Sequence, residues 1–168
     1  IAKIEAGGVR EMNLTEVNLC TLVEKILREF NVPENRSVVR LYLDPLSVPK
    51  WVDYSRVYQI VLNLVSNAYK YSEAPSGVAL HVEAFDFEDD GQVSIGMQIR
   101  VVDQGMGMTE TELAQVFERF WRADISGVIP GTGLGMSLVK ELVTLHGGEI
   151  KVNSIYGQGT EVIVQFCK

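Results

Sequence analysis

Two runs of alternating apolar and polar residues, separated by a short acidic stretch, constrain this chain most. Val78, Leu80, Val82 and Ala84 alternate with Ala79, His81, Glu83 and Phe85. Val93, Ile95, Met97, Ile99 and Val101 alternate with Ser94, Gly96, Gln98 and Arg100. A period of two puts each apolar set on one face of an extended strand. Residues 86–91 between them read as a solvated acidic turn, so the two runs form a hairpin with one face to bury.

Segments of helical period supply the cover. Val17, Leu19, Leu22, Val23, Ile26, Leu27 and Phe30 recur at helical spacing, and Pro33 ends that region. Val57, Ile60, Val61, Leu64, Val65 and Ala68 form the apolar stripe of a helix over 53–71. Leu134, Leu138, Val139, Leu142 and Val143 give a third, closed by Gly147-Gly148. Thr109 followed by Glu112 fits a capping box ahead of a short helix through Val116. Short strands are expected at Val39–Leu43 and Trp51-Val52, and two more over 150–155 and 161–166, joined by a turn at 156–159. Mixed helices and strands with a late antiparallel run predict an α+β two-layer sandwich, a sheet with helices on one face.

Composition narrows the function classes. With 168 residues, 46% apolar and 22% charged, the chain is an ordinary globular domain, long enough to bury a core without staples. A net charge of −7 argues against a non-specific nucleic-acid binder, which needs a basic footprint. Cys20 and Cys167 form no metal or CxxC pattern, which suggests a reducing, cytoplasmic setting. No apolar run is long enough to span a bilayer, and no signal peptide is visible. The first residue is Ile, so a longer parent chain is expected.

Three segments carry candidate chemistry. Asn63, Asn67, Lys70 and Tyr71 share one stripe beside the apolar face of the second helix, where they could wall a pocket. An amide oxygen there suits Mg²⁺, and a lysine one turn on could face phosphates; the alternative is a polar flank facing water. Asp103 ends the long strand and leads into Gly105 and Gly107, glycines that permit close backbone approach, or simply a turn. Gly131, Gly133 and Gly135 run into a helix start, whose N–H groups favour anions; the alternative is a hinge. Their spacing is neither a Walker loop nor the dinucleotide fingerprint. Between these segments lies Phe117-Glu118-Arg119-Phe120-Trp121-Arg122. Phe117 and Phe120 read as core, and Arg122 as a donor that could reach a terminal phosphate from a lid over 123–130. His81 and His146 read as structural.

In this order the segments resemble the catalytic ATP-binding domain of sensor histidine kinases, a Bergerat-fold ATPase. Residues 63–72 look like that family's N box, 103–108 its first glycine box, 117–122 its F box, 131–136 its second glycine box, and 157–160 its final GxGT turn. Ile4-Glu5-Ala6-Gly7 looks like the end of the dimerisation helix, so residues 1–13 are expected to be a helix tail and linker and 14–168 the catalytic domain.

The resemblance implies a mixed, mostly antiparallel sheet with three helices on one face. It also implies ATP and Mg²⁺ as cofactors. Asn67 would hold the metal with Asn63 supporting it, while Lys70 and Tyr71 would line the phosphate and ribose side. Asp103 would receive the adenine amine, with Thr160 nearby and Gly105 and Gly107 closing around the base. Gly131, Thr132, Gly133, Leu134, Gly135 and Met136 would cradle the phosphates. Lys70 and Arg122 would serve the transfer of the γ-phosphoryl group to a histidine. No His-acidic pair sits on a helix here, so the acceptor is expected upstream, in a dimerisation domain of the same protein. Implied partners are that domain and a response-regulator receiver. The parent would be a homodimer, membrane-anchored or not, and this piece a monomer. The alternatives are a degenerate scaffold module and another Bergerat ATPase; the F box and the helix-tail start weigh against the latter.

Overall fold

A computed structural model describes residues 11–122, 131, 133 and 135–168. The expected hairpin is its spine. Strands β4 (Val78–Asp89) and β5 (Gln92–Asp103) pair antiparallel along their whole length, with Val82 opposite Ile99 and Val78 opposite Asp103. The connection is tighter than the acidic composition suggested. Residues 86–89 belong to β4, and only Asp90 and Gly91 turn, both at positive φ (50° and 78°). An Asp-Gly pair tolerates those angles, and their twist matches the flanking strands.

Three further strands complete the sheet. β2 (Arg40–Leu43) lies parallel to β4, β7 (Gly159–Phe166) antiparallel to β5, and β6 (Glu149–Ile155) antiparallel to β7, giving the order β2-β4-β5-β7-β6. The mixed, mostly antiparallel sheet is as expected. A separate ribbon pairs β1 (Leu14–Val17) with β3 (Lys50–Asp53). Val17 therefore belongs to a strand, not to the first helix. Asn18 is the reason: its side chain accepts a hydrogen bond from the Thr21 N–H and starts α1 (Leu19–Glu29) only after it. Lys50, buried, donates to the Ile95 and Cys167 carbonyls and ties the ribbon to the sheet.

The apolar phases of β4, β5 and β7 meet α1, α2 (Tyr54–Lys70) and α4 (Gly135–Leu145) in one core that includes Leu22, Ile26, Ile60, Leu80, Ile99, Val139 and Phe166. Each such side chain contributes about 1.5–3 kcal/mol by leaving water. A short helix, α3 (Glu110–Leu113), starts on the expected capping box of Thr109 and Glu112. The opposite face of the sheet carries polar ladders instead, with Arg100 bridging Glu83 (2.7 Å) and Glu161 (3.2 Å).

Both histidines are structural. His81 stacks on Tyr42. His146 shares its Nδ1 proton with the Leu142 carbonyl (2.6 Å) and accepts the Asp53 N–H at Nε2 (3.0 Å), joining the end of α4 to the start of α2. Among the described residues no helix is long and apolar enough to cross a membrane, and no group of His, Cys, Asp and Glu could hold a metal ion by itself.

Candidate functional site

A cavity of about 190 Å³ opens where the C-terminal half of α2, the end of β5, the start of β7 and the start of α4 converge. Its floor is apolar, with Leu64, Val101, Val152 and Val162 continuing the core phase outward. Its rim is polar, and the rim residues come from all the segments singled out by sequence. Asn63, Asn67, Lys70 and Tyr71 line it from α2; Asp103 and Gly107 from the end of β5; Trp121 and Arg122 after α3; Gly131, Gly133, Gly135 and Met136 from the approach to α4 and its first turn; Thr160 from β7. Thr132 and Leu134 lie outside the described residues.

The two asparagines are held differently. Asn63 spends its Nδ2 on the Gln59 carbonyl one turn back (3.0 Å), which leaves its oxygen facing Gly135. The Asn67 carboxamide makes no hydrogen bond among the described residues, and it also lies against Gly135. A Cβ on Gly135 would sit 3.3 Å from Asn63 Oδ1 and 3.6–3.9 Å from the Asn67 amide atoms. The missing side chain therefore brings the N-terminus of α4 onto two carboxamides, the Asn63 oxygen nearest. Hard oxygen donors beside a helix N-terminus fit a hydrated divalent cation carrying an anion. Asn67, with Asn63 beside it, is the donor set that could hold such an ion.

The opposite side of the cavity is made of backbone. Asp103 is 9% exposed, and its Oδ1 accepts the Gly105 N–H (2.8 Å). Burial pushes its pKa up to about 6, against the pull of the Gly105 and Thr160 N–H groups. Such a group is a carboxylate at neutral pH, ready to accept from a ligand donor. Gly105 itself stands behind the cavity wall rather than in it. A Cβ there would meet the Tyr71 carbonyl oxygen at 2.0 Å, and Met106 N–H donates to that same carbonyl (3.0 Å). Gly107, at φ 63°, leaves no room either, with the Ile155 carbonyl oxygen 2.0 Å from where its Cβ would be.

The F-box segment departs from expectation. Phe117 is half-buried under the Lys140 ammonium, but Phe120 is 73% exposed at φ 65° and is not core. Its role is in its backbone: its N–H donates to the Gly133 carbonyl (2.9 Å), and Gly133 has no space for a side chain against it. This contact joins Phe120 to Gly133; the lid expected over 123–130 lies outside the described residues.

Two supporting residues escaped the sequence reading. Arg36 donates to the Tyr69 and Ser72 carbonyls at the C-terminal end of α2 (3.1 and 2.8 Å) and to Ser72 Oγ (2.8 Å), and so fixes the turn that carries Tyr71. Nothing in its neighbourhood of the sequence marks it. Ser154 lies behind Thr160, with the two hydroxyls 2.8 Å apart. Ser154 did leave a signal, because it interrupts the apolar phase of Ile150 and Val152.

Comparison with known proteins agrees with this geometry. Residues 52–168 match the family described as histidine kinase-, DNA gyrase B-, and HSP90-like ATPase. The chain is 33% identical over 165 residues to the hybrid signal transduction histidine kinase D of Dictyostelium discoideum, covering 96% of this chain and 10% of that protein. It is 34% identical over 171 residues to the circadian input-output histidine kinase CikA of Synechococcus elongatus, covering 98% and 21%. The chain thus spans about a tenth to a fifth of the length of these relatives. Among solved structures, the mycobacterial sensor histidine kinase MprB superposes with a TM-score of 0.71 at 26% identity, over 92% of this chain and 97% of that one. Full-length ShkA in complex with AMPPNP gives 0.72 at 27%, over 95% and 32%. Matching over two-thirds of its length, the chain belongs to the histidine kinase-, DNA gyrase B- and HSP90-like ATPase family.

Proposed function

We propose that this chain is the ATP-binding catalytic domain of a two-component sensor histidine kinase. It would pass the γ-phosphoryl group of ATP to a histidine on a dimerisation domain of the same protein, from which a response-regulator receiver would take it. Residues 14–168 would be this domain and residues 1–13 the tail of the acceptor helix with its linker. The parent would be a homodimer whose catalytic domains work in the cytoplasm. The observation that carries the reading is a single cavity walled by a buried carboxylate on one side and by two carboxamides against a helix N-terminus on the other.

Each side would recognise one end of the nucleotide. Asp103 would accept the exocyclic amine of adenine, and the apolar floor would take the base. The Gly131–Gly135 approach to α4 would offer N–H groups to the phosphates. Asn67, supported by Asn63, would hold Mg²⁺, which when bound supplies charge neutralisation across the phosphate oxygens. Lys70 and Arg122 would add positive charge where the γ-phosphoryl group departs. No residue here needs to act as nucleophile. The acceptor imidazole nitrogen forms the new P–N bond, the bond to the β–γ bridging oxygen breaks, and ADP leaves. Catalysis in this chain is positioning and charge neutralisation.

Calorimetry with Mg-ATP is expected to give a dissociation constant in the micromolar range, about −6 to −8 kcal/mol. With the acceptor helices of the parent supplied separately and γ-labelled ATP, acid-labile label should appear on a histidine. Absence of binding at millimolar nucleotide would remove the nucleotide reading, and binding without transfer would leave a scaffold module.

A further inference from the structure

Asp103, Thr160 and Ser154 stand side by side on three adjacent strands. Asp103 of β5 is opposite Thr160 of β7, and Thr160 is opposite Ser154 of β6. All three fall in the apolar phase of their strands, following or preceding Val101, Val162 and Val152, which line the cavity floor. A polar row in a phase otherwise reserved for core side chains is costly unless every member is hydrogen-bonded. Asp103 and Thr160 face the cavity, whereas Ser154 does not line it. Its only access to a ligand is through its neighbours.

The proton count of that row decides what the cavity presents. Ser154 Oγ accepts the Met108 N–H (2.8 Å), lies 3.1 Å from the Gly159 carbonyl as a donor, and lies 2.8 Å from Thr160 Oγ1. A serine hydroxyl has one proton and two lone pairs. One arrangement satisfies all three contacts: Ser154 donates to Gly159 and accepts from both Met108 and Thr160. In that arrangement the Thr160 proton is committed to Ser154. The side of Thr160 Oγ1 that faces the cavity then carries lone pairs only. Beside it is the Asp103 carboxylate, also an acceptor at neutral pH.

We propose that Ser154 is a specificity-determining positioning residue. By taking the Thr160 proton it makes this edge of the cavity an acceptor-only surface, matched to a purine with an amine at position 6 and mismatched to one with a carbonyl there. The inference rests on the nucleotide reading above and adds to it a reason for base choice. Adenine presents N–H donors at position 6; hypoxanthine and guanine present an oxygen, which would face lone pairs and a carboxylate. A site whose polar groups are left unpaired by the wrong ligand rejects it strongly. Without Ser154 the Thr160 hydroxyl can rotate and donate to that oxygen, so the penalty falls.

The test compares ATP with inosine triphosphate, which differs from it only at the 6-position and the adjoining ring nitrogen. Dissociation constants of both, with Mg²⁺, are measured on wild type, Ser154→Ala, Ser154→Thr and Thr160→Val. Wild type is expected to prefer ATP. Ser154→Ala is expected to cut that preference by about tenfold, mainly by binding inosine triphosphate better, and Ser154→Thr should restore it. Thr160→Val should weaken ATP and leave inosine triphosphate unchanged, which keeps the test decisive if Ser154→Ala does not fold. An unchanged preference in Ser154→Ala, or equal losses for both nucleotides in either variant, overturns the proposal. Wild type that binds neither nucleotide overturns the underlying reading with it, and wild type that binds both equally overturns the proposal alone.

Discussion

The two halves of the cavity are built on opposite principles. The half around Asp103 is locked by backbone. Cβ atoms on Gly105, Gly107 and Gly159 would come within 2.0–2.1 Å of the carbonyl oxygens of Tyr71, Ile155 and Asp103. The half around Asn67 is looser, with a carboxamide that makes no hydrogen bond among the described residues and only side-chain atoms near Gly135, none closer than 3.3 Å. A flat base of fixed shape can be met by a rigid slot. On the proposed reading, a phosphate chain that has to reach an acceptor is better met by groups that can follow it. In one half glycine is demanded by backbone packing, and in the other it leaves room for two carboxamides.

The largest expected effect separates the halves directly. Gly105→Ala drives a methyl into the Tyr71 carbonyl, and relief requires backbone movement. It should cost about 3 kcal/mol, lowering the thermal midpoint by roughly 10 °C, and abolish ATP binding. Gly135→Ala should leave the midpoint unchanged or slightly raised, since alanine favours a helix by up to about 1 kcal/mol over glycine. It should weaken Mg-ATP about tenfold by displacing the two carboxamides. Thermal unfolding and calorimetry on the pair decide it; equal destabilisation would erase the contrast.

Next comes Asn67→Ala. It should lower Mg-ATP affinity about a hundredfold, near 2.7 kcal/mol, while adenosine binding and the thermal midpoint barely move. Chelating Mg²⁺ should bring wild type to the same level. A variant that loses adenosine as well would mean the halves are one unit.

The locked half should be the pH-sensitive one. Burial lifts Asp103 to about 6, well above an ordinary aspartate. Its folded state therefore takes up a proton before its unfolded state does. Between about pH 6 and 4 protonation favours the empty fold, while above pH 6 the charge costs stability on the order of 3 kcal/mol. On the proposed reading the base needs the carboxylate, so adenosine affinity should fall several-fold as pH drops through 6, and Asp103→Asn should remove that fall. Asp103→Asn should raise the thermal midpoint at pH 7 while weakening ATP.

The smallest effect lies outside both halves. His146 is held neutral between the Leu142 carbonyl and the Asp53 N–H, and burial lowers its pKa. Its contribution is present above the ordinary histidine range and is lost as pH falls below about 6.5. Water screens a half-buried ring, so the loss should stay below about 1 kcal/mol. His146→Gln should flatten the midpoint-versus-pH slope between pH 7.5 and 5.5 without changing nucleotide affinity at pH 7.5. A change in affinity there would tie this residue to the cavity.

Much of this was legible because it is local. The hairpin, the α2 stripe and the Thr109–Glu112 cap each depend on side chains a few positions apart. The misreadings have local causes too. Acidic residues made 86–89 look like loop, although a strand reaching past its neighbours can carry charge on both faces. Aromatic character made Phe120 look buried, although its backbone contact to Gly133 is what holds it. Arg36 left no trace, because its partners on α2 and beyond lie more than thirty residues away.

By itself the sequence determined the period of every long element, the phase of its apolar face, and the glycine, asparagine and aspartate positions where a ligand could approach. Only the tertiary structure decided which of those phases lie side by side. Asp103, Thr160 and Ser154 are scattered through the chain, and three strand registers bring them into one row. The physical reason is that periodicity is a property of one strand, whereas register is a property of a pair. A hydrogen-bonded row across a sheet exists only when pairing has fixed each strand against the next.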